Sequence, residues 1–361
     1  MKRIQFVALL VLLCGTSAGS YAQNYSIGVY YYPGWRSDYI NWKDIKGLPG
    51  SRSPGKPWPE RVPLLGYYPE EQQWVAERHI DLATKYGINF FVYDWYWDGS
   101  SPQFNHAINN YLHAKNRSKL QFSILWDNAF ATLTTLTQYD NMVSYWINNY
   151  FNQPTFYQID GKPAVFIFSN PQLLLYATTL GTSVQSLLQR ADSMAKSRGY
   201  NGIYFVATIN DMPATSLENQ LSGRGFSAYT GWNYAMARGA LVDDYSTMVD
   251  GYLAYYTAAA NTAKILPYLV PASPGYDERP WHGATSIVRN NPTPDKFTRM
   301  LTGAKALLDQ QQNTAKILLI EAWNEFGEGS VIEPTNKWGT SYLETIRHVF
   351  VPSAAAKKRP K

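Results

Sequence analysis

Glu321, Glu325, Glu328 and Glu333 lie within thirteen residues, directly after the apolar run Ile317-Leu318-Leu319-Ile320. Buried runs of this kind end strands, and the Gly-rich stretch that follows reads as a tight turn. Two carboxylates at the end of a buried strand can cleave a glycosidic bond by acid catalysis. One gives a proton to the leaving oxygen while the other activates the nucleophile. The competing reading is a solvated acidic loop. Trp323, Phe326, Gly327 and Gly329 fit a pocket wall better than such a loop. A general acid needs its pKa raised towards neutrality, which a dry aromatic pocket achieves by disfavouring the charged form. If one glutamate attacked the sugar carbon directly, the two carboxyl groups should stand roughly 5–5.5 Å apart.

What positions these residues is an alternation of short apolar runs with helix-like stretches. The runs cover 27–32, 88–95, 120–126, 163–168, 202–208, 226–230, 265–270 and 317–323. Several are continuous and rich in β-branched or aromatic residues, as strands buried on both faces tend to be. Helices are predicted over 70–86, 103–116, 141–150, 184–198, 244–262, 294–311 and 339–350, with Pro69-Glu70-Glu71 and Thr293-Pro294-Asp295 as start signals and Gly87 and Gly199 as stops. Eight such alternations predict an α/β fold, a (β/α)8 TIM barrel in one domain over 23–352. An open doubly wound sheet for a nucleotide would want G-x-G-x-x-G after the first strand. The first run leads instead into Tyr31-Tyr32-Pro33-Gly34-Trp35. The stretch 36–66, rich in Gly, Pro and Trp, reads as a loop folding over the barrel mouth.

A barrel of this type carries its site at the carboxyl ends of the strands. The residues expected there are Tyr31, Tyr32 and Trp35 after the first strand and Asp94, Trp95 and Trp97 after the second. Trp126, Asp127 and Asn128 follow the third, Trp232 and Asn233 the sixth, and Tyr276, Asp277 and Arg279 the seventh. Trp323, Asn324 and Glu333 flank the acidic pair after the eighth. Aromatic, acid and amide groups together suit sugars, whose C–H faces stack on rings while their hydroxyls seek hydrogen bonds. Blander roles compete at each position. Asp94 could cap a turn, Trp95 and Trp97 could pack the barrel, Asp127 and Asn128 could form an Asx-turn, and Arg279 could pair with Asp277. His79 falls on a helix and reads as a surface residue, and His282 follows a Pro-Trp turn near the mouth. Beyond the first twenty-two residues no H-E-x-x-H, Cys cluster, D-x-D or G-x-S-x-G is present. No metal, cofactor or esterase elbow is therefore expected.

The first twenty-two residues read as a secretory signal, with Lys2 and Arg3, an apolar stretch over 6–13 too short to span a bilayer, and Ser20-Tyr21-Ala22 before Gln23. The export of the chain to the periplasm, cell surface or medium is the expectation that follows, and no transmembrane segment is expected. Cys14 is the only cysteine, and a lipoprotein reading through it competes, although Leu13 is larger than the residue normally found there. Without Cys14 there is no disulfide and no thiol nucleophile. Lys2, Arg3 and the basic residues of the tail at 353–361 account for more than the whole formal charge of +5. That tail reads as disordered, and nothing suggests nucleic acid. Phe, Trp and Tyr make up 15% of the chain, with 28 Tyr and 12 Trp, which favours an oligo- or polysaccharide partner.

Trp323-Asn324-Glu325-Phe326-Gly327-Glu328-Gly329-Ser330-Val331-Ile332-Glu333-Pro334 resembles the N-E-x-x-E-G-x-x-I-E-P signature of glycoside hydrolase family 99 and of the family 99-like WbsX group. Tyr30-Tyr31-Tyr32-Pro33-Gly34-Trp35, the 87–96 strand, Trp126-Asp127-Asn128 and Ser273-Pro274-Gly275-Tyr276-Asp277 extend the likeness. The resemblance implies a retaining, endo-acting hydrolase of α-linked, mannose-type glycans. It gives Glu325 the role of base on the sugar's own 2-hydroxyl, which attacks C1 to form a 1,2-anhydro sugar. It gives Glu328 the role of acid to the leaving oxygen and then base to water. Where the endo-mannosidases have Trp-His between the two glutamates, this chain has Phe326-Gly327. That departure bears on the sugar more than on the chemistry. A binding barrel without turnover, and a glycosyltransferase-associated protein as the WbsX label suggests, are the alternatives.

Overall fold

The computed structural model describes residues 25–262, 264–311 and 316–351. The signal assigned to 1–22 and the tail at 353–361 lie outside them. Eight strands carry the fold: β1 Ser26–Tyr31, β2 Phe90–Trp97, β3 Gln121–Trp126, β4 Lys162–Ile167, β5 Tyr204–Ile209, β6 Ala228–Gly231, β7 Tyr268–Ala272 and β8 Ile317–Ile320. Each pairs in parallel with the next. The ring closes where Ser26 to Val29 of β1 run beside Ile317 to Ile320 of β8. This is the (β/α)8 barrel that the alternation predicts. Around it stand α1 Asn41–Lys46, α2 Gln73–Lys85, α3 His106–His113, α4 Leu136–Trp146, α5 Asn170–Thr179, α6 Val184–Lys196, α7 Thr215–Gly223, α8 Tyr245–Thr262, α9 Pro294–Gln310 and α10 Ser341–Phe350. Among the described residues no helix is long and apolar enough to cross a membrane.

Helices α1, α5 and α7 were not among those predicted. Helix α4 starts five residues before the predicted 141, because Thr135 and Gln138 close a capping box there. The stretch 36–66 carries α1, and its Trp42 and Ile45 pack with Trp35, Tyr68, Phe326 and Val331. It thus backs the segment after β8.

The strand period of two divides each strand between two cores. Phe90 and Val92 of β2, Leu125 of β3, Ala164 and Phe166 of β4, Tyr204 and Val206 of β5, and Ile317 and Leu319 of β8 fill the barrel interior with Tyr30. Their neighbours, such as Phe91, Tyr93, Ile124, Val165 and Leu318, pack under the helices. Carried one step further, the same alternation aims Asp94, Asp127, Thr208 and Glu321 at the barrel axis on the carboxyl-end face.

Candidate active site

Beyond β8 the chain folds into a small hairpin. Asn324 and Glu325 pair antiparallel with Val331 and Ser330, which leaves Phe326-Gly327-Glu328-Gly329 as the loop. Gly329 turns it with φ 71°, in the left-handed region that favours glycine. Glu325 and Glu328 therefore stand at the two ends of one four-residue turn, and the Glu328 amide donates to the Glu325 carbonyl at 3.2 Å. The turn is held from several sides. The Asn324 side chain accepts from the Tyr32 amide at 2.9 Å and donates to the Tyr32 carbonyl at 2.9 Å. The Trp35 indole N–H donates to the Asn324 carbonyl at 2.8 Å. Arg61 donates to the Phe326 carbonyl at 2.9 Å, and the Asp277 amide donates to the Glu328 carbonyl at 2.5 Å.

The carboxylates converge in a dry environment. Glu321 is fully buried, and its Oε2 accepts from Asn233 at 2.5 Å and Ser273 at 3.2 Å. Oδ1 of Asp94, Oε1 of Glu321, Oε2 of Glu325 and Oε2 of Glu328 are buried with no hydrogen-bond partner in the protein. Burial pushes the Glu325 carboxyl well above the usual range, and the charges of Glu328, Asp94, Glu321 and Glu70 add to it. Glu328 is pushed up to about 7 by burial and by Glu278. Burial and then Glu328 raise Glu321, and burial, Asp127 and Glu328 raise Asp94. Asp127 is raised by burial alone against one backbone amide. Burial and mutual repulsion thus favour the protonated forms across the set. Among the described residues no three His, Cys, Asp or Glu side chains gather in a way that could hold a metal.

The structure separates the residues proposed from the sequence into three groups. Asp94, Asp127, Glu325, Glu328, Tyr32 and Tyr276 come together, since the hydroxyl of Tyr32 feels Glu325 and that of Tyr276 feels Glu328. Trp232 borders them from β6, its ring 4.6 Å from that of Tyr30. A second group points away from the axis. Trp95 donates its indole N–H to the Tyr150 hydroxyl and lies against Trp146, Trp97 packs on Trp95 and Tyr145, and Trp126 lies between Trp146 and Tyr176. These rings fill the layer between strands and helices, a correction that strand parity explains. Tyr31 and Trp323 belong to the same layer. A third group is built into supports. Trp35 and Asn324 brace the hairpin, and the Asn128 side chain bonds both ways with the Ser169 backbone. Arg279 closes on Asp277, which Arg61 also holds at 2.6 Å.

Four residues that were given no site role from the sequence join the site. Tyr30 and Tyr96 feel Asp94, Glu321 is the floor acid, and Glu278 accepts from the Tyr276 hydroxyl at 2.9 Å. Parity would have found Tyr30 and Glu321. His79 is corrected from surface to core. It is fully buried, and it bonds Tyr31 at 3.0 Å and Glu333 at 3.2 Å, while Glu333 accepts from Tyr68 at 2.9 Å. Glu333 is thus a buried strut beneath the hairpin. Trp281, which went unassigned, lies against Gly327. A Cβ at 327 would come closer than 3.0 Å to three indole atoms. The indole occupies the space that a side chain at 327 would need.

A parallel barrel whose carboxyl-end face collects buried acids and aromatic rings defines the class of protein. Residues 54–346 match the family described as Glycosyltransferase WbsX, and the chain belongs to that family. Two curated relatives, both called uncharacterized protein WxcX and from two strains of Xanthomonas campestris pv. campestris, are 20% identical over 88% of this chain and 47% of their own length. The chain therefore spans about half the length of the curated relatives it matches. Among solved structures, a glycoside hydrolase-like protein superposes with TM-score 0.66 and 16% identity over 92% of this chain and 95% of its own. The family 99 endo-alpha-mannosidase from Bacteroides thetaiotaomicron superposes with TM-score 0.59 and 15% identity over 90% and 96%. Both likenesses concern the fold, a TIM barrel.

Proposed function

We propose that the chain is an exported glycoside hydrolase that cuts α-linked, mannose-type glycans internally with retention of configuration. The observation that carries this is the pair Glu325 and Glu328 on one turn, each with a buried oxygen free of protein partners, and Glu328 with a carboxyl pushed up to about 7, as a general acid needs. Glu325 takes the proton of the sugar's 2-hydroxyl as that oxygen bonds to C1. Glu328 gives its proton to the departing glycosidic oxygen as the C1–O bond breaks. Water then attacks C1 of the 1,2-anhydro sugar, Glu328 takes the water's proton, and Glu325 returns its own to the 2-oxygen. Tyr32, Tyr276 and Trp232 supply ring faces and hydroxyls for the substrate. The test is a polysaccharide panel including α-mannans, with product size and anomeric form read by chromatography and NMR. Glu325→Gln and Glu328→Gln should each abolish cleavage, and full activity in both variants would sink the assignment. An inverted product would sink the retaining step alone.

The family description favours a second reading, glycosyl transfer. Consumption of a nucleotide sugar with an acceptor glycan, and no hydrolysis anywhere in the panel, would select it. Glycan binding with neither reaction would select a binding barrel.

A further inference from the structure

A cavity of about 360 Å³ opens at the carboxyl ends of β4 and β5, away from the β8 hairpin, and its lining includes Phe168, Asn210, Asp211, Gln220, Arg224 and Trp232. The volume falls in the range of roughly 300–1,000 Å³ typical of small-molecule sites. Trp232 both lines it and packs against the rings of the barrel interior. That ring lies 4.6 Å from the inward-facing Tyr30 and meets Phe168 edge-on at 5.3 Å. Asn210, Asp211 and Gln220 are exposed on its rim. Arg224 is half-buried, donates one N–H to Asn170 at 2.9 Å, and has no carboxylate partner among the described residues. One acid and one base balance, so the lining favours a neutral ligand. An apolar ring beside amide, carboxylate and guanidinium groups matches a sugar, with one C–H face to stack and several hydroxyls to bond. The cavity of about 260 Å³ beside Tyr276 and Trp338 differs, since its Arg61 and Arg279 are both closed on Asp277.

We propose that the cavity over β4 and β5 is a second sugar subsite, holding a neutral hexose residue of a glycan whose other end lies at the β8 carboxylates. The inference rests on the glycoside hydrolase reading, and it adds that substrate length is sensed on the opposite side of the mouth. The experiment uses a Glu325→Gln background and titrates α-manno-, β-manno- and α-gluco-oligosaccharides of increasing length, from disaccharides upward, by calorimetry. Affinity should rise at least roughly tenfold from disaccharide to the longest chain of the preferred series, and Arg224→Ala and Asp211→Ala should each remove most of that rise. Disaccharide affinity should stay as it was. A length-dependent gain that survives both substitutions overturns the subsite, and so does an absence of binding by every oligosaccharide. The unsubstituted protein is assayed for cleavage of the same panel in parallel. Cleavage with a gain indifferent to Arg224 and Asp211 removes the subsite and leaves the hydrolase. A gain lost in both variants without any cleavage keeps the subsite and removes the hydrolase.

Discussion

Gly327→Ala tests how tightly the site is packed where residue 327 has no side chain. The backbone at 327 is outside the left-handed region, so alanine meets no conformational barrier there. The cost is steric. The added methyl would come closer than 3.0 Å to three atoms of the Trp281 indole, where carbon contacts normally rest at about 3.5–4.0 Å. The ring or the hairpin must therefore retreat by more than about 1 Å. Trp281 is packed on Tyr32, with ring centroids 5.7 Å apart, and Arg52 lies over it at 5.3 Å, so neither neighbour gives way freely. Overpacking of this kind costs about 1–3 kcal/mol. In a Trp281→Ala background the methyl has room, and the same substitution should cost nearly nothing. Thermal or denaturant unfolding of the four proteins in the cycle then gives a coupling energy of about 1–3 kcal/mol, the double variant being more stable than the sum predicts. Should the two effects add within about 0.5 kcal/mol, the claim that the indole fills the place of the 327 side chain is refuted.

Two further predictions concern charge. Because the Glu328 carboxyl titrates near 7, hydrolysis that needs its proton should fall as pH rises through about 7, with a slope of one proton in a pH–rate profile. The same shift acts on stability. Carboxyls raised in the folded state make it bind more protons than the unfolded chain, so this contribution is fully present below the ordinary glutamate range and is lost as pH rises through 7. It amounts to at most about 3 kcal/mol for Glu328, and Glu328→Gln should flatten the dependence of the unfolding midpoint between those limits. A midpoint equally pH-dependent in the variant would count against the assignment. His79→Leu should cost about 3–5 kcal/mol in unfolding experiments, because it leaves Glu333 buried with Tyr68 as its one remaining side-chain partner, whereas His113→Ala on the exposed face of α3 should change stability by less than about 0.5 kcal/mol. Equal effects at the two histidines would remove the strut.

Strands were the legible part of this chain, because buried parallel strands write themselves as continuous apolar runs. Helices α5 and α7 were harder for different reasons. Helix α5 is apolar on most of its turns, with Leu173, Leu174 and Leu175 in a row, so the helical period is blurred. Helix α7 is short and polar, and ends in Gly223. Within the site, types were legible and directions were not. Trp95 and Asp94 are adjacent and were read alike, yet the pleat sends one to the helices and the other to the axis. His79 shows the same gap between type and geometry. Val75, Ala76, His79, Ile80 and Ala83 form an unbroken helical stripe, and all are buried. The spacing put the imidazole inside, while its polarity suggested outside. Trp281 was invisible for a third reason. Its place beside Gly327 depends on how the loop after β7 crosses the hairpin, a contact between segments far apart in sequence.

The supports of the hairpin obey one electrostatic constraint. Asp94, Glu321, Glu325 and Glu328 repel one another when charged, and the ordinary remedy is a cation in their midst. A guanidinium or ammonium beside Glu328 would draw its pKa back down and leave no proton to donate. Arg61 is close enough to hold the turn, yet its N–H groups go to the carbonyls of Phe326 and Asp277 and to the Asp277 carboxylate. The other clamps on the turn are neutral: the Asn324 amide, the Trp35 indole and backbone amides. Glu321 is likewise met by Asn233 and Ser273, which are neutral donors. The turn is thereby fixed in place by groups that leave the protonation of its acids to burial and mutual repulsion. Both of those would strengthen on binding of the proposed sugar substrate, which would exclude water from the mouth.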